Sequence, residues 1–308
     1  MIGAEWVAGA VRARALARRR IGPASARQLA ASPSLDEAVR ALADTPYGHD
    51  VRPGQTLAEA EHAIGGALLW HLRVLAGWLP RQGVEPLRVL AGWFELANVD
   101  EHTQRIAGGG PGQAPYRLGA LASAWPRLAA TSSLEGLRAA LATSPWGDPG
   151  AATPHAIAGE MRLAYAQRVI AAFPMAEPLA TGAFALLVAR ELFDARRPLD
   201  AALGHRAAIL LGEEAMAAGS LPQMAARVHA PARWALADLD DPSQLWRAES
   251  GWWRRLEHDG FTLLGSARYD LRAVIGATAV LAVDAWRARA ALACAARAGS
   301  VEVFDAVV

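Results

Sequence analysis

The stretch SLDEAVRALADTPYG, Ser34 to Gly48, occurs again as SLEGLRAALATSPWG, Ser133 to Gly147, with Pro46 against Pro145. A more divergent copy, SLPQMAARVHAPARW, runs from Ser220 to Trp234. Each copy opens on a serine suited to cap a helix. In the first and third, Glu37 and Gln223 follow three residues later, which is the spacing of a capping box. Apolar residues then recur at helical spacing: Leu35, Ala38, Val39 and Leu42 in the first copy, and Leu221, Met224, Ala225 and Val228 in the third. The second copy keeps Leu134, Leu137 and Leu141 but carries Arg138 at one of these places. Thr/Ser-Pro-aromatic-Gly stops the first two, since proline cannot continue a helix and glycine accepts a left-handed backbone. The chain is therefore expected to be a tandem array of one helical unit.

Composition agrees with helix. Alanine, leucine and arginine dominate the 308 residues, and 53% are apolar, enough for a substantial core. All 31 basic residues are arginine, which fits GC-rich coding better than a need for phosphate contacts. A net charge of +1 argues against a general nucleic-acid binder. Cys294 is the single cysteine, so neither an internal disulfide nor a cysteine metal cluster is expected. The apolar runs Leu179 to Ala189 and Ala273 to Val283 are about half the length of a membrane span. With no signal-like start, the sequence reads as a soluble, cytoplasmic protein.

Taken in order, a helix spans Trp6 to Arg20 and is broken at Gly22-Pro23. Its run Arg18-Arg19-Arg20 is a solvated face or a contact for an acidic partner. After the signature helix, Thr56 and Glu59 predict a boxed start to a helix reaching Leu79, answered by a second from Pro86 to about Ile106. Gly108-Gly109-Gly110 with Pro111 reads as a linker, because no strand precedes it and no Gly-Lys-Ser/Thr follows. The second unit repeats the order: a helix around Tyr116 to Ala130, the signature, a helix from Thr153-Pro154 to Phe173, and its partner from Leu179 to Phe193. The third contains Leu203 to Ala217, the divergent signature, a tryptophan-rich helix capped by Ser243, and a last helix from Tyr269 to Gly299. Asp270 to Asp284 (DLRAVIGATAVLAVD) echoes Pro86 to Asp100 (PLRVLAGWFELANVD). A period near one hundred residues is too long for a solenoid. The expected fold is all-α, an internal triplication in three related helical lobes near 1–105, 106–203 and 204–308.

No active site assembles from the sequence. His62 and His71 lie too far apart on one helix to chelate one ion, and no His-Glu-x-x-His occurs. Glu101-His102 and Glu257-His258-Asp259 read as solvated helix faces. Asp238, Asp240 and Asp241 resemble the aspartate-rich magnesium motif of all-helical terpenoid synthases in composition only, since Pro242 follows at once. A negatively charged helix start explains them better. Cys294, among Ala291, Leu292 and Ala295, reads as a buried small hydrophobe, and the eleven tryptophans read mainly as core. No catalytic, cofactor-binding or metal-ligating residue is assigned, and no cofactor is expected.

A triplicated helical chain of this kind resembles the C/d (AC39) subunit of rotary V-type and A-type ATPases. Ser34, Glu37, Leu42, Thr45, Tyr47 and Gly48, followed by LAEAEHAI, match that family's first-lobe segment. Glu95, Asn98 and Val99 match the motif that ends its first hairpin, and the match departs at His102, Thr103 and Gln104. Asp284, Ala285, Arg287 and Arg289 fit its last-lobe acidic-Ala-x-Arg-x-Arg helix. The resemblance implies a funnel of three helical domains at the cytoplasmic face of the membrane, peripheral to it through the ring. Its partners would be the central-stalk subunits and the proteolipid ring, with torque passing between them during ATP-driven ion or proton transport or ATP synthesis. Such a part is not an enzyme. Two alternatives stay open: an all-α enzyme with a cleft between lobes, and a helical scaffold for another complex.

Overall fold

The computed structural model describes residues 4–110, 112–297, 299 and 301–308. Pro111 of the glycine-rich linker and Ala298 of the last predicted helix lie outside the described residues. Among the described residues every regular element is a helix and none is a strand. No helix among them is long and apolar enough to cross a membrane. The fold divides into two compact units. One comprises Met1–Phe94, Tyr116–Leu121 and Trp253–Val308, the other Glu95–Pro115 and Ala122–Trp252. The glycine run thus lies inside the second unit.

The first unit is built on the helix Leu271–Ala296, which buries residues around much of its circumference, including Val274, Val280, Ala288 and Leu292. The helices Val7–Arg18, Gly22–Ala30, Leu35–Ala43 and Leu57–Ala76 all pack on it. The core is rich in alanine (Ala26, Ala38, Ala60, Ala67, Ala288, Ala291), so backbones come close while Val39, Leu42, Ile64 and Leu292 fill the gaps. At one crossing the approach excludes any side chain: a Cβ on Gly276 would stand 2.5 Å from the carbonyl oxygen of Gly260. Among the described residues the second unit shows two cores. Leu96, Val99, Leu128, Leu137, Leu141, Trp146 and Met161 form one. The other gathers Phe184, Leu186, Leu203, Leu211, Leu221, Met224, Leu236 and Leu245.

The predicted caps of the first two signatures form. Ser34 Oγ accepts from the Glu37 amide at 3.3 Å and Ser133 Oγ from the Gly136 amide at 3.1 Å. In the third copy Ser220 makes no cap bond; Gln223 reaches the Gly219 amide instead, and the helix stops at Arg227. Both halves of a capping box are present at Thr56 and Glu59, opening Leu57–Ala76. Arg138, out of place in an apolar stripe, grips Asp148 through two bonds of 2.8 and 3.2 Å at the surface.

Several boundaries differ from expectation, each for an identifiable reason. Gly22-Pro23 starts a helix, Gly22–Ala30, because proline in a first turn needs no amide. The hairpin's second helix begins at Arg81, and Pro86 sits inside it. Tyr116 to Ala130 is not one helix: Gly119 has a positive φ of 57°, and only Gly119–Leu121 and Trp125–Leu128 are helical. Glu177–Ala189 starts with Pro178 in its first turn and widens into a π-helical segment, Arg190–Asp194. Asp241, not Ser243, caps the start of the tryptophan-rich helix region, accepting from the Ser243 amide at 2.8 Å. The helix itself is Leu245–Leu264.

The caps give a direct test. Thr56→Ala should lower stability by about 1 kcal/mol, the usual loss for an N-cap, while Ser220→Ala, which removes no bond, should be near neutral. Urea unfolding of both variants beside the parent measures the contrast.

Candidate functional site

The aromatic residue of each signature turn marks the most distinctive chemistry in the molecule. In the first unit Tyr47 is buried, and its hydroxyl donates to Asp284 Oδ2 at 2.9 Å. The same carboxylate accepts the backbone amides of Ile21 at 3.0 Å and Gly22 at 2.8 Å. Asp284 therefore caps Gly22–Ala30 from a remote helix while holding the turn that ends Leu35–Ala43. Burial pushes its carboxyl above the ordinary aspartate range, opposed by the bonds from Gly22, Ile21 and Tyr47 and by the charge of Arg20. The Tyr47 hydroxyl is pushed well above its usual value by burial and then by the carboxylate it touches.

An independent node in the second unit repeats this arrangement. Trp146 is buried, and its indole donates to Glu95 Oε1 at 2.7 Å. Glu95, with no exposed surface, also accepts the amides of Ser123 at 2.6 Å and Ala124 at 2.8 Å, at the start of the helix Trp125–Leu128. The Arg168 guanidinium lies 4.6 Å over the Trp146 ring and bonds Ser123 Oγ at 3.1 Å. At the third copy the acceptor is a backbone carbonyl, since Trp234 donates to Pro178 O at 3.2 Å. The sequence echo sets Asp100 against Asp284, but the structural counterpart of Asp284 is Glu95. Asp100 pairs with Arg162 at 2.7 Å.

The remaining candidates fall in different places. Glu101 is exposed, but His102 is not on a solvated face: it is 3% exposed, bonded to Thr131 Oγ1 at 3.0 Å and to Arg105 at 2.6 Å. Burial, then Arg105, lowers its pKa. Glu257 pairs with the buried Arg287, His258 is exposed, and Asp259 approaches Arg255 at 3.8 Å. Cys294 is buried. The tryptophans are less uniformly core than expected: Trp6 and Trp146 are buried, while Trp78, Trp93 and Trp246 are exposed. Glu160, buried and paired with Arg206 at 2.7 Å, carries a carboxyl pushed up to about 7 by burial, against the pull of Arg206. A cleft of about 280 Å³ lies beside Trp70, Arg73 and Gly119. Among the described residues no group of three or more metal-ligating side chains converges.

Both carboxylate nodes collect donors from distant segments and leave little room for a substrate. They act as fasteners. Tyr47→Phe should cost about 1.5–3 kcal/mol, the range for a bond to a charged group. Glu95→Ala strands two amides and an indole, each costing about 1–3 kcal/mol when left unsatisfied, and should cost at least about 3 kcal/mol. Trp234→Phe should remove only a neutral bond of about 1 kcal/mol. Denaturant titration of the three variants should reproduce this order, with Glu95→Ala the least stable.

No protein-family model matches the chain and no curated protein matches it, so its function is read from its own geometry.

Proposed function

We propose that the chain is a non-catalytic rotor adaptor of a V/A-type rotary ATPase, with three related lobes in a funnel-like body that couples a central stalk to a membrane proteolipid ring. One observation carries this reading. The residues behind the sequence resemblance, which run from Ser34 to Arg289, include Tyr47 and Asp284, which meet in one buried node, and Glu95, which meets the second signature's Trp146 in the other. Arg287 of the last motif is likewise buried against Glu257, and Asn98 is 2% exposed. Motif residues that fasten helices suit a part whose work is stiffness. Close packing gives such a body low compressibility, so load applied at one face reaches another.

The recurrence of an aromatic donor on an acceptor from a distant segment at all three signature copies supports triplication, with the third copy reduced to a neutral bond on the half-buried Pro178. A coupler must hold two partners through many turnovers, so each contact should bury an interface of standard size, about 1,600 Å². Co-expression with central-stalk subunits, and separately mixing with the detergent-solubilised ring, tests the proposal. Co-purification with both is the expected result. If the chain stays alone while those partners assemble with each other, the adaptor reading fails.

A further inference from the structure

The short segment Tyr116–Leu121 belongs to the first unit, although the sequence on either side of it belongs to the second. It is fastened beside the helix Leu57–Ala76 at several points. Tyr116 stacks on His62 at 4.2 Å between ring centres, and its hydroxyl donates to the His62 carbonyl at 3.4 Å. Arg88 donates to the Ala120 carbonyl at 3.2 and 3.1 Å, and Leu121 is buried. Between these points the segment does not close on the helix. The gap is the cleft of about 280 Å³, walled by Trp70, Arg73, Val74 and Ala76 on one side and Gly119, Ala120 and Leu121 on the other. Arg73, Gly119 and Ala120 are exposed, so the cleft opens to solvent.

The walls are set before any ligand arrives. Trp70 is stacked on His49 at 4.3 Å between ring centres. The Arg73 guanidinium lies along the bare backbone of Gly119, where a Cβ would stand 3.3 Å from Nε. Trp70 and Arg73 are three residues apart on one helix, which makes them neighbours on its surface, about 5–6 Å apart at Cβ. Charges close by are answered, since Arg88 pairs with Glu85 and His49 lies 2.8 Å from Asp50. Arg73 forms no ion pair with any described residue.

We propose that this cleft binds a small aromatic monocarboxylate. The guanidinium offers one positive charge and a planar fork that matches a carboxylate with two parallel bonds. Trp70, Val74, Ala76 and Leu121 supply the apolar surface that a flat ring needs, the usual mixture in a small-molecule site. Size sets the class. A cavity of about 150 Å³ holds one benzene ring, so 280 Å³ takes a ring with a short carboxylate arm and is too small for a nucleotide. The site stands apart from the adaptor reading and requires neither stalk nor ring.

Calorimetry and ligand-observed NMR with phenylacetate test the proposal, beside neutral 2-phenylethanol, acetate and inorganic phosphate at constant ionic strength. Saturable phenylacetate binding at about 0.1–1 mM is expected, at least tenfold tighter than each of the other three. Arg73→Gln should weaken phenylacetate about tenfold and leave 2-phenylethanol unchanged. Ala76→Phe, which places a ring in the cleft, should abolish both. Arg18→Gln, on the exposed face of the first helix, should change neither. Circular dichroism checks that each variant is folded. Absence of saturable phenylacetate binding overturns the proposal, as does parent affinity in Arg73→Gln. Should 2-phenylethanol bind as tightly as phenylacetate, the role of the charge is wrong; should acetate or phosphate do so, the aromatic assignment is wrong.

Discussion

A carboxylate withdrawn from water must be surrounded by donors or it becomes neutral. Asp284 and Glu95 each meet this condition with three donors, two from backbone and one from an aromatic side chain. The requirement works in both directions. The carboxylate needs the amides, and the amides at a short helix's start need an acceptor. The signature turn must also present its aromatic at the correct height. Removing one participant leaves the others buried and unsatisfied, so the geometry of several segments depends on one side chain in each node.

Around these points the chain relies on small residues. Alanine brings helix axes together, and the larger aliphatic residues fill what remains. The contact between Gly276 and the Gly260 carbonyl is the limit of that strategy, since even a methyl group has nowhere to go. Polar groups inside such packing are few, and most of them fasten one segment to another. Arg287 holds Glu257, Arg206 holds Glu160, and His102 sits between Thr131 and Arg105. His71, Thr103 and Thr181 are among the exceptions, each buried with a polar side-chain atom unanswered.

What the sequence made legible was local. Ser34, Thr56 and Ser133 act on residues three positions away, so their caps can be read from spacing alone. The apolar spacing of Leu137 and Leu141 likewise placed a buried stripe correctly. What remained hidden was set by partners far along the chain. Gly22-Pro23 looked like a stop because the acceptor that lets a helix start there, Asp284, is 262 positions away. His102 beside Glu101 looked solvated because Thr131, which holds it, belongs to a later loop. Tyr116 to Ala130 looked helical by analogy with the first unit, yet Glu95 draws in the amides of Ser123 and Ala124 and fixes another path. The nodes themselves join residues of unremarkable type, and nothing in their own neighbourhoods marks them as pairs.

The first unit is made from both flanks of the sequence, with Trp253–Val308 completing what Met1–Phe94 begins. A ribosome delivers these parts at opposite ends of its work. While Glu95–Trp252 is being synthesised, Tyr47 lacks its acceptor, Gly22–Ala30 lacks its cap, and the faces of Leu42 and Ile64 lack the helix that covers them. At about 5–20 residues per second, that interval lasts on the order of ten seconds or more. The nascent chain is obliged to carry an unfinished apolar surface for that time, and the second unit, nearly contiguous in sequence, has the opportunity to fold first. Closure of the first unit thus waits for Leu271–Ala296, and a chain released before that helix emerges would retain most of the first unit's sequence without the means to fold it.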